Sequence, residues 1–302
     1  MSLHVFGNVV TPFGTAANNR AETEGNITTL QKLIWHGAPH STVSAESIRF
    51  ALRRLLGDAE TAGTNRRWDE DSRVNTWQDH EFKGWAKASS NTFIDDDLLG
   101  FMTAEAAKEE GESGSANVRR GVLEITRAVS LTPWFGDVTF NAASPDATPS
   151  AQKKGSNPVP YGTEVHATRY QFGFAMTPER LRNASRAAKA ITALGSLRTV
   201  AGNHGRFLFD FSPESLILRI TEDPAPRLLY CFGTDDGGET INANALIARI
   251  ESGDISSDEL VFGTADSTAA LATSLESAGV RVMGVKAAIN TANERINARL
   301  VG

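Results

Sequence analysis

The chain reads as an α+β protein: an antiparallel or mixed sheet with helices on one face and two polar excursions. Three observations carry that reading. Runs rich in β-branched and aromatic residues recur from residues 3–10 to 280–285; such side chains fit a half-buried pleated surface. Segments with helical apolar spacing alternate with them. Two stretches, about 57–117 and 141–161, are polar enough to leave a compact core.

Residues 3–10 precede Pro12 and read as the first strand. Asn26 is placed to cap an amphipathic helix with Ile27, Leu30 and Ile34 on one face, ended by Gly37 and Pro39. A second helix starts at Ser44, with Ile48, Ala51, Leu52 and Leu55 as its buried stripe and Arg49 and Arg53 together on a flank. Residues 57–117, with Trp68, Trp77 and Trp85 among charges, read as a helical insertion. Strands are expected within 118–131, from Val138, and over 164–175; the stretch 141–161 between them holds almost nothing large and apolar. Thr177 and Pro178 open a helix to about 193, since proline at the first helical position loses no hydrogen bond. The remainder gives strands at 207–211, 216–220, 260–262 and 280–285, a helix near 268–278 and a last helix.

Composition bounds the function. The 302 residues are 40% apolar and carry a formal charge of −6, which suits a soluble globular protein. One cysteine, Cys231, permits neither an internal disulfide nor a cysteine-based zinc site, so a cytoplasmic location is the expectation. No apolar run approaches the ~18 residues of a bilayer span, so no membrane association is expected. Charge is uneven: residues 119–206 hold 12 basic and 5 acidic side chains. A basic stripe in an acidic protein is the footprint of a phosphate-backbone binder, or else a solvated helix face around Arg180, Arg182, Arg186 and Lys189.

The usual catalytic signatures are missing: there is no P-loop, dinucleotide fingerprint, nucleophile elbow or paired-histidine zinc motif. His36 and His40 are separated by Gly37 and Pro39, which keeps them off one helical face. Asp95, Asp96 and Asp97 are adjacent carboxylates of the kind that hold magnesium, yet three in a row do not converge, so capping or a solvated edge is favoured. The loop Gly202-Asn203-His204-Gly205-Arg206 suits either a tight turn or an anion cradle.

Several blocks together resemble a known family. Residues 6–12 (FGNVVTP), 18–26 (NNRAETEGN), 43–53 (VSAESIRFALR), 95–101 (DDDLLGF), 202–206 (GNHGR) and 210–216 (DFSPESL) are similar to the DevR family of guide-RNA-binding backbone subunits of type I CRISPR (Cascade) complexes. The resemblance implies a ferredoxin-like, RNA-recognition-motif-like palm, helical fingers at 57–117 and a β-hairpin thumb at 141–167. It also implies a head-to-tail filament of copies along one guide RNA, other Cascade subunits as partners, and a target DNA strand engaged through the guide. A subunit that accepts any guide holds sugar and phosphate and leaves base edges free. On that basis Arg20, Lys32, Arg49, Arg53 and Arg206 are candidate phosphate clamps. Asn18, Ser44, Asn203 and His204 are candidates for hydrogen bonds to phosphate or 2′-hydroxyl, and Lys153 and Lys154 for contacts from the thumb. No cofactor, metal site or catalytic residue is expected. The alternative is a metal-dependent endoribonuclease; the loop after the first strand, 11–25, offers Glu22 and Glu24 but no aspartate. A regulatory reading attached to the DevR name lacks a helix-turn-helix signature.

Overall fold

The computed structural model describes residues 2–17, 22–85, 91–105, 115–145, 159–201, 208–266 and 269–301. The first strand, β1 (His4–Val10), is followed by β2 (Gly14–Ala16), β3 (Thr23–Glu24), β4 (Ile27–Thr28), β5 (Lys32–Trp35) and β6 (Ala38–Val43). Helix α1 (Ala45–Gly57) comes next, then β7 (Arg66–Asp69), β8 (Val74–Trp77), α2 (Ile94–Leu99), β9 (Gly100–Glu105) and β10 (Ser115–Arg120). The middle of the chain forms β11 (Leu123–Ile125), β12 (Ala128–Ser130), β13 (Val138–Ala143), β14 (Val159–Glu164), β15 (His166–Thr168), β16 (Tyr170–Met176) and α3 (Arg186–Leu194). The last part adds β17 (Ser215–Thr221), α4 (Asn244–Glu251), β18 (Leu260–Thr264), α5 (Ala270–Ser277), β19 (Arg281–Met283) and α6 (Val285–Val301).

One large sheet organises these elements in the order β19-β18-β17-β1-β16-β12-β6-β5, with β11 also on β16. Its neighbours are antiparallel except β18 and β19, which run parallel. Strand β1 lies at the centre because it is apolar on both faces. Its period of two sends Val5 and Val9 into one core and Phe6 and Val10 into the other. The first core holds α1, α2, α3 and α6, through residues such as Ile48, Leu98, Ile191 and Ile296. The second holds Leu246 of α4, Leu271 and Leu275 of α5, and the segment around Phe232. Asn8, buried on this second side, fixes that segment: its side chain donates to Gln171 Oε1 at 3.2 Å and accepts from the Tyr230 N–H at 3.0 Å.

The structure corrects several expectations. Helices cover both faces of the sheet and not one: α4 and α5 pack into the second core, on the side opposite α1. Within residues 26–35 there is no helix: Ile27–Thr28 and Lys32–Trp35 are strands, joined by an extended linker at 29–31. What reads as a helix stop at Gly37 is a two-residue hairpin turn, with φ of 48° at His36 and 83° at Gly37, joining β5 to β6. Among its described residues the segment 57–117 is richer in strand than a helical insertion, containing the hairpins β7–β8 and β9–β10, a 3₁₀ turn at Lys83–Trp85 and the six-residue α2. The helix expected from Pro178 is a short 3₁₀ turn over Pro178–Arg180, and α3 begins at Arg186. The break has a cause: the backbone N–H groups of Arg182 and Asn183 donate to the Asp97 carboxylate. Residues 208–211 are no strand; Phe209 and Phe211 pack against Tyr170 at centroid distances of 5.4 and 5.7 Å. Strands β13 and β14 pair antiparallel, and 146–158 between them lie outside the described residues.

Candidate nucleic-acid interface

The basic and aromatic side chains converge on α1. Ser44 caps the helix, its hydroxyl accepting from the Ser47 N–H at 3.2 Å, while Ile48, Leu52 and Leu56 anchor the inner face. The outer face is ringed by three recesses. One of about 330 Å³ lies against the β7–β8 hairpin and includes Phe50, Arg54, Arg67 and Trp68. One of about 1030 Å³ lies against residues 197–201 and includes Ser44, Ser47, Arg54 and Arg198. The third, about 450 Å³, lies against α2, β9 and β10 and includes Arg49, Arg53, Arg66 and Arg119. Shared walls make them one surface: Phe50 and Arg54 belong to the first two, Arg53 and Arg66 to the first and third. Glu46, Asp58 and Glu70 also reach it, so the surface is not purely cationic.

Beneath it sits a buried carboxylate cluster. Asp95 accepts from Arg53 Nε at 3.1 Å and from the Asn65 N–H at 2.7 Å. Asp97 accepts from Arg119 Nη2 at 2.8 Å and Arg186 Nη1 at 3.0 Å. Arg186 also grips Glu60 with two donors, at 3.0 and 2.8 Å. Asp96 accepts from Asn65 Nδ2 at 2.9 Å; burial, helped by the adjacent Asp95, pushes its pKa up to about 7. This overturns the solvated-edge reading: all three carboxylates are buried, and they organise α2, the hairpins and the approach to α3. Among the described residues no three His, Cys, Asp or Glu side chains are grouped to hold a metal ion.

Burial lowers the pKa of Arg49 and of Arg66, and Arg53 repels both cations. An incoming anion relieves such crowding. Arg66 Nε is buried without a partner. Arg54, Arg67 and Arg198 are exposed, and none makes an ion pair among the described residues.

The candidates from sequence separate accordingly. Arg49 and Arg53 do lie on this surface, but Arg53 is paired with Asp95, and Arg49 donates to the Leu99 carbonyl. Ser44 is buried at the helix cap. Lys32 is elsewhere, on β5, bonded to Glu164 at 2.5 Å and stacked over Trp134 at 3.9 Å. Asn18, Arg20, Lys153, Lys154, Asn203, His204 and Arg206 lie outside the described residues. Sequence reasoning missed Phe50, Arg54, Arg67 and Arg198. The run Arg66-Arg67-Trp68 was a usable signal, since interleaved arginine and aromatic residues mark single-strand binding.

A second polar cluster resembles a nucleophile–base pair without its access. Ser41 Oγ lies 2.7 Å from His166 Nδ1 and 2.7 Å from Tyr170 OH, and all three side chains are buried. Burial lowers the His166 pKa to about 4, so the ring is neutral and joins strands β6, β15 and β16.

The family model described as CRISPR-associated negative auto-regulator DevR/Csa2 matches residues 12–189. A Myxococcus xanthus (strain DK1622) protein described as "CRISPR-associated protein Cas7/Cst2/DevR" is 63% identical over 264 residues, 87% of each chain. A chain of a structure described as "CRISPR RNA-guided surveillance complex" aligns at a TM-score of 0.56 and 14% identity, over 97% of this chain and all of that one. A chain from a pre-nicking form of such a complex gives 0.53 and 13%, over 96% and 100%. At these identities the structural likeness establishes a shared fold.

Proposed function

Because the chain belongs to the DevR/Csa2 family of CRISPR-associated proteins, we propose that it is a non-catalytic backbone subunit of a type I CRISPR surveillance complex. It holds the sugar-phosphate backbone of a guide RNA, stacks head to tail with its own copies beside other Cascade subunits, and presents the guide to a target DNA strand. The complex serves antiviral defence or RNA-guided transposition.

The observation that carries this reading is the surface around α1, where Arg54, Arg67 and Arg198 have no carboxylate partner among the described residues. Guanidiniums on a concave face suit a continuous phosphate backbone and are indifferent to base sequence. The strand order β17-β1-β16-β11, with α1 between β1 and β11 and α3 between β16 and β17, supports a ferredoxin-like palm. In this reading 57–117 are the fingers and the β13–β14 hairpin belongs to the thumb. A head-to-tail contact does not close on itself and so builds a filament. The non-catalytic assignment draws support from Asp95 and Asp97, whose oxygens are occupied by arginine and backbone donors.

The test is native mass spectrometry of the protein with RNAs of increasing length, followed by a denaturing gel after incubation with magnesium. Copy number rising in even steps with length, on intact RNA, supports the proposal. A fixed single copy, or magnesium-dependent cuts, overturns it.

A further inference from the structure

The recess between α1 and the β7–β8 hairpin has features that phosphate holding alone does not use. Phe50 and Trp68 form its walls, each 41% exposed, with ring centroids 6.5 Å apart and planes at 81°. Trp68 is held in place, its Nε1 donating to Glu70 Oε2 at 3.2 Å. An aromatic pair left so open in a folded protein offers ring surface to a ligand. Arg54 and Arg67 stand at the same recess, exposed and without an ion-pair partner among the described residues, and Arg66 Nε is buried nearby with no acceptor. At about 330 Å³ the recess is at the small end of ligand-sized cavities.

Planar aromatic surface combined with unmatched guanidiniums is the chemistry of a nucleotide. The base stacks, and the cations take the phosphate. A protein partner would need both a broader apolar area and carboxylates to answer the cations. We propose that this recess takes one unpaired nucleotide of the bound strand, its base against the Phe50–Trp68 pair and its phosphate on Arg54 and Arg67. The proposal rests on the RNA-binding reading above and narrows it to a particular subsite.

The test is fluorescence anisotropy of the full chain with short labelled single strands: RNA, DNA of the same sequence, and RNA with abasic positions. Trp68→Ala and Phe50→Ala are each expected to weaken binding of intact RNA about tenfold, from a stacked base worth roughly 1–3 kcal/mol at 1.4 kcal/mol per decade. Trp68→Phe should restore it, and Phe135→Ala, which removes an exposed ring outside the recess, should leave it unchanged. Wild-type protein should itself lose about as much on abasic RNA, a readout independent of any variant's folding. Equal losses on RNA and DNA assign recognition to base and phosphate, and losses confined to RNA add the 2′-hydroxyl. Steeply salt-dependent binding that neither aromatic substitution nor abasic positions alter overturns the subsite and leaves the RNA-binding reading standing. Failure of wild-type protein to bind either strand overturns both, and favours a protein occupant of the recess.

Discussion

Replacing Asp97 with alanine tests whether the buried carboxylates hold the arginine-bearing elements together. The side chain is fully buried and accepts four hydrogen bonds: from Arg119 Nη2, Arg186 Nη1 and the backbone N–H groups of Arg182 and Asn183. Truncation leaves the Arg186 guanidinium buried with one carboxylate partner, Glu60, where it had two. Removing one member of a buried ion pair costs about 3–5 kcal/mol. Arg186 retains Glu60 and the Thr92 hydroxyl, which places the expected loss near the middle of that range, about 4 kcal/mol. At roughly 2 °C per kcal/mol for a chain of this size, melting should fall by about 8 °C. Asp97→Asn keeps the shape but turns an amide donor toward other donors, so it should recover at most half of the loss. Thermal melting followed by circular dichroism, with the exposed Asp71→Ala as reference, measures both. Melting of Asp97→Ala within about 1 °C of wild type, the range of an ordinary surface change, would refute the assignment.

Other expectations follow from the same geometry. Asp96, with its pKa raised from 3.8 to about 7, keeps a proton in the native state that the unfolded chain has released. Its contribution to stability is therefore lost as pH rises between about 4 and 7, and Asp96→Asn should gain on wild type across that window in urea unfolding; a constant difference at pH 4.5 and pH 8 contradicts this. Gly7→Ala places a methyl against the Phe174 ring and Leu218 in the packed core, and should cost about 1–3 kcal/mol in the same assay. Arg198→Ala should weaken RNA binding equally for unrelated sequences and flatten the logarithmic salt slope by about 0.7, the share of one single-strand phosphate contact. Arg53→Ala should instead lower the melting temperature, because Arg53 is already paired with Asp95.

The elements legible in the sequence were those in which one physical signal dominated. Strand β1 shows in the β-formers Val5, Phe6, Val9 and Val10, and α1 in the Ser44 cap with its periodic stripe. The misreading of 26–35 shows how such signals fail. Ile27, Leu30 and Ile34 fit helical spacing by coincidence, whereas His36-Gly37 between two short apolar runs was the better evidence for a hairpin. The interruption before α3 was invisible locally, since it depends on a carboxylate 85 residues away in sequence from Arg182. The helical spacing of Arg49 and Arg53, together with the family resemblance, pointed to arginines on α1 but not to which of them are free. Arg53 and Arg54 are neighbours in sequence, yet one is turned to Asp95 and the other to solvent. That distinction arises only when α2 folds against α1. The same is true of Phe50 and Trp68, which share a wall only once the β7–β8 hairpin is in place.

The central claim is that the surface around α1 holds a nucleic-acid backbone without reading its sequence. Fluorescence anisotropy with two single-stranded RNAs of unrelated sequence, over a salt series and with the triple variant Arg54→Ala, Arg67→Ala and Arg198→Ala beside wild type, addresses it most directly. The expected result is comparable wild-type affinity for both RNAs, a steep salt slope, and a slope shallower by about 2 in the variant. A strong preference for one sequence, or a variant with wild-type affinity and slope, would contradict it.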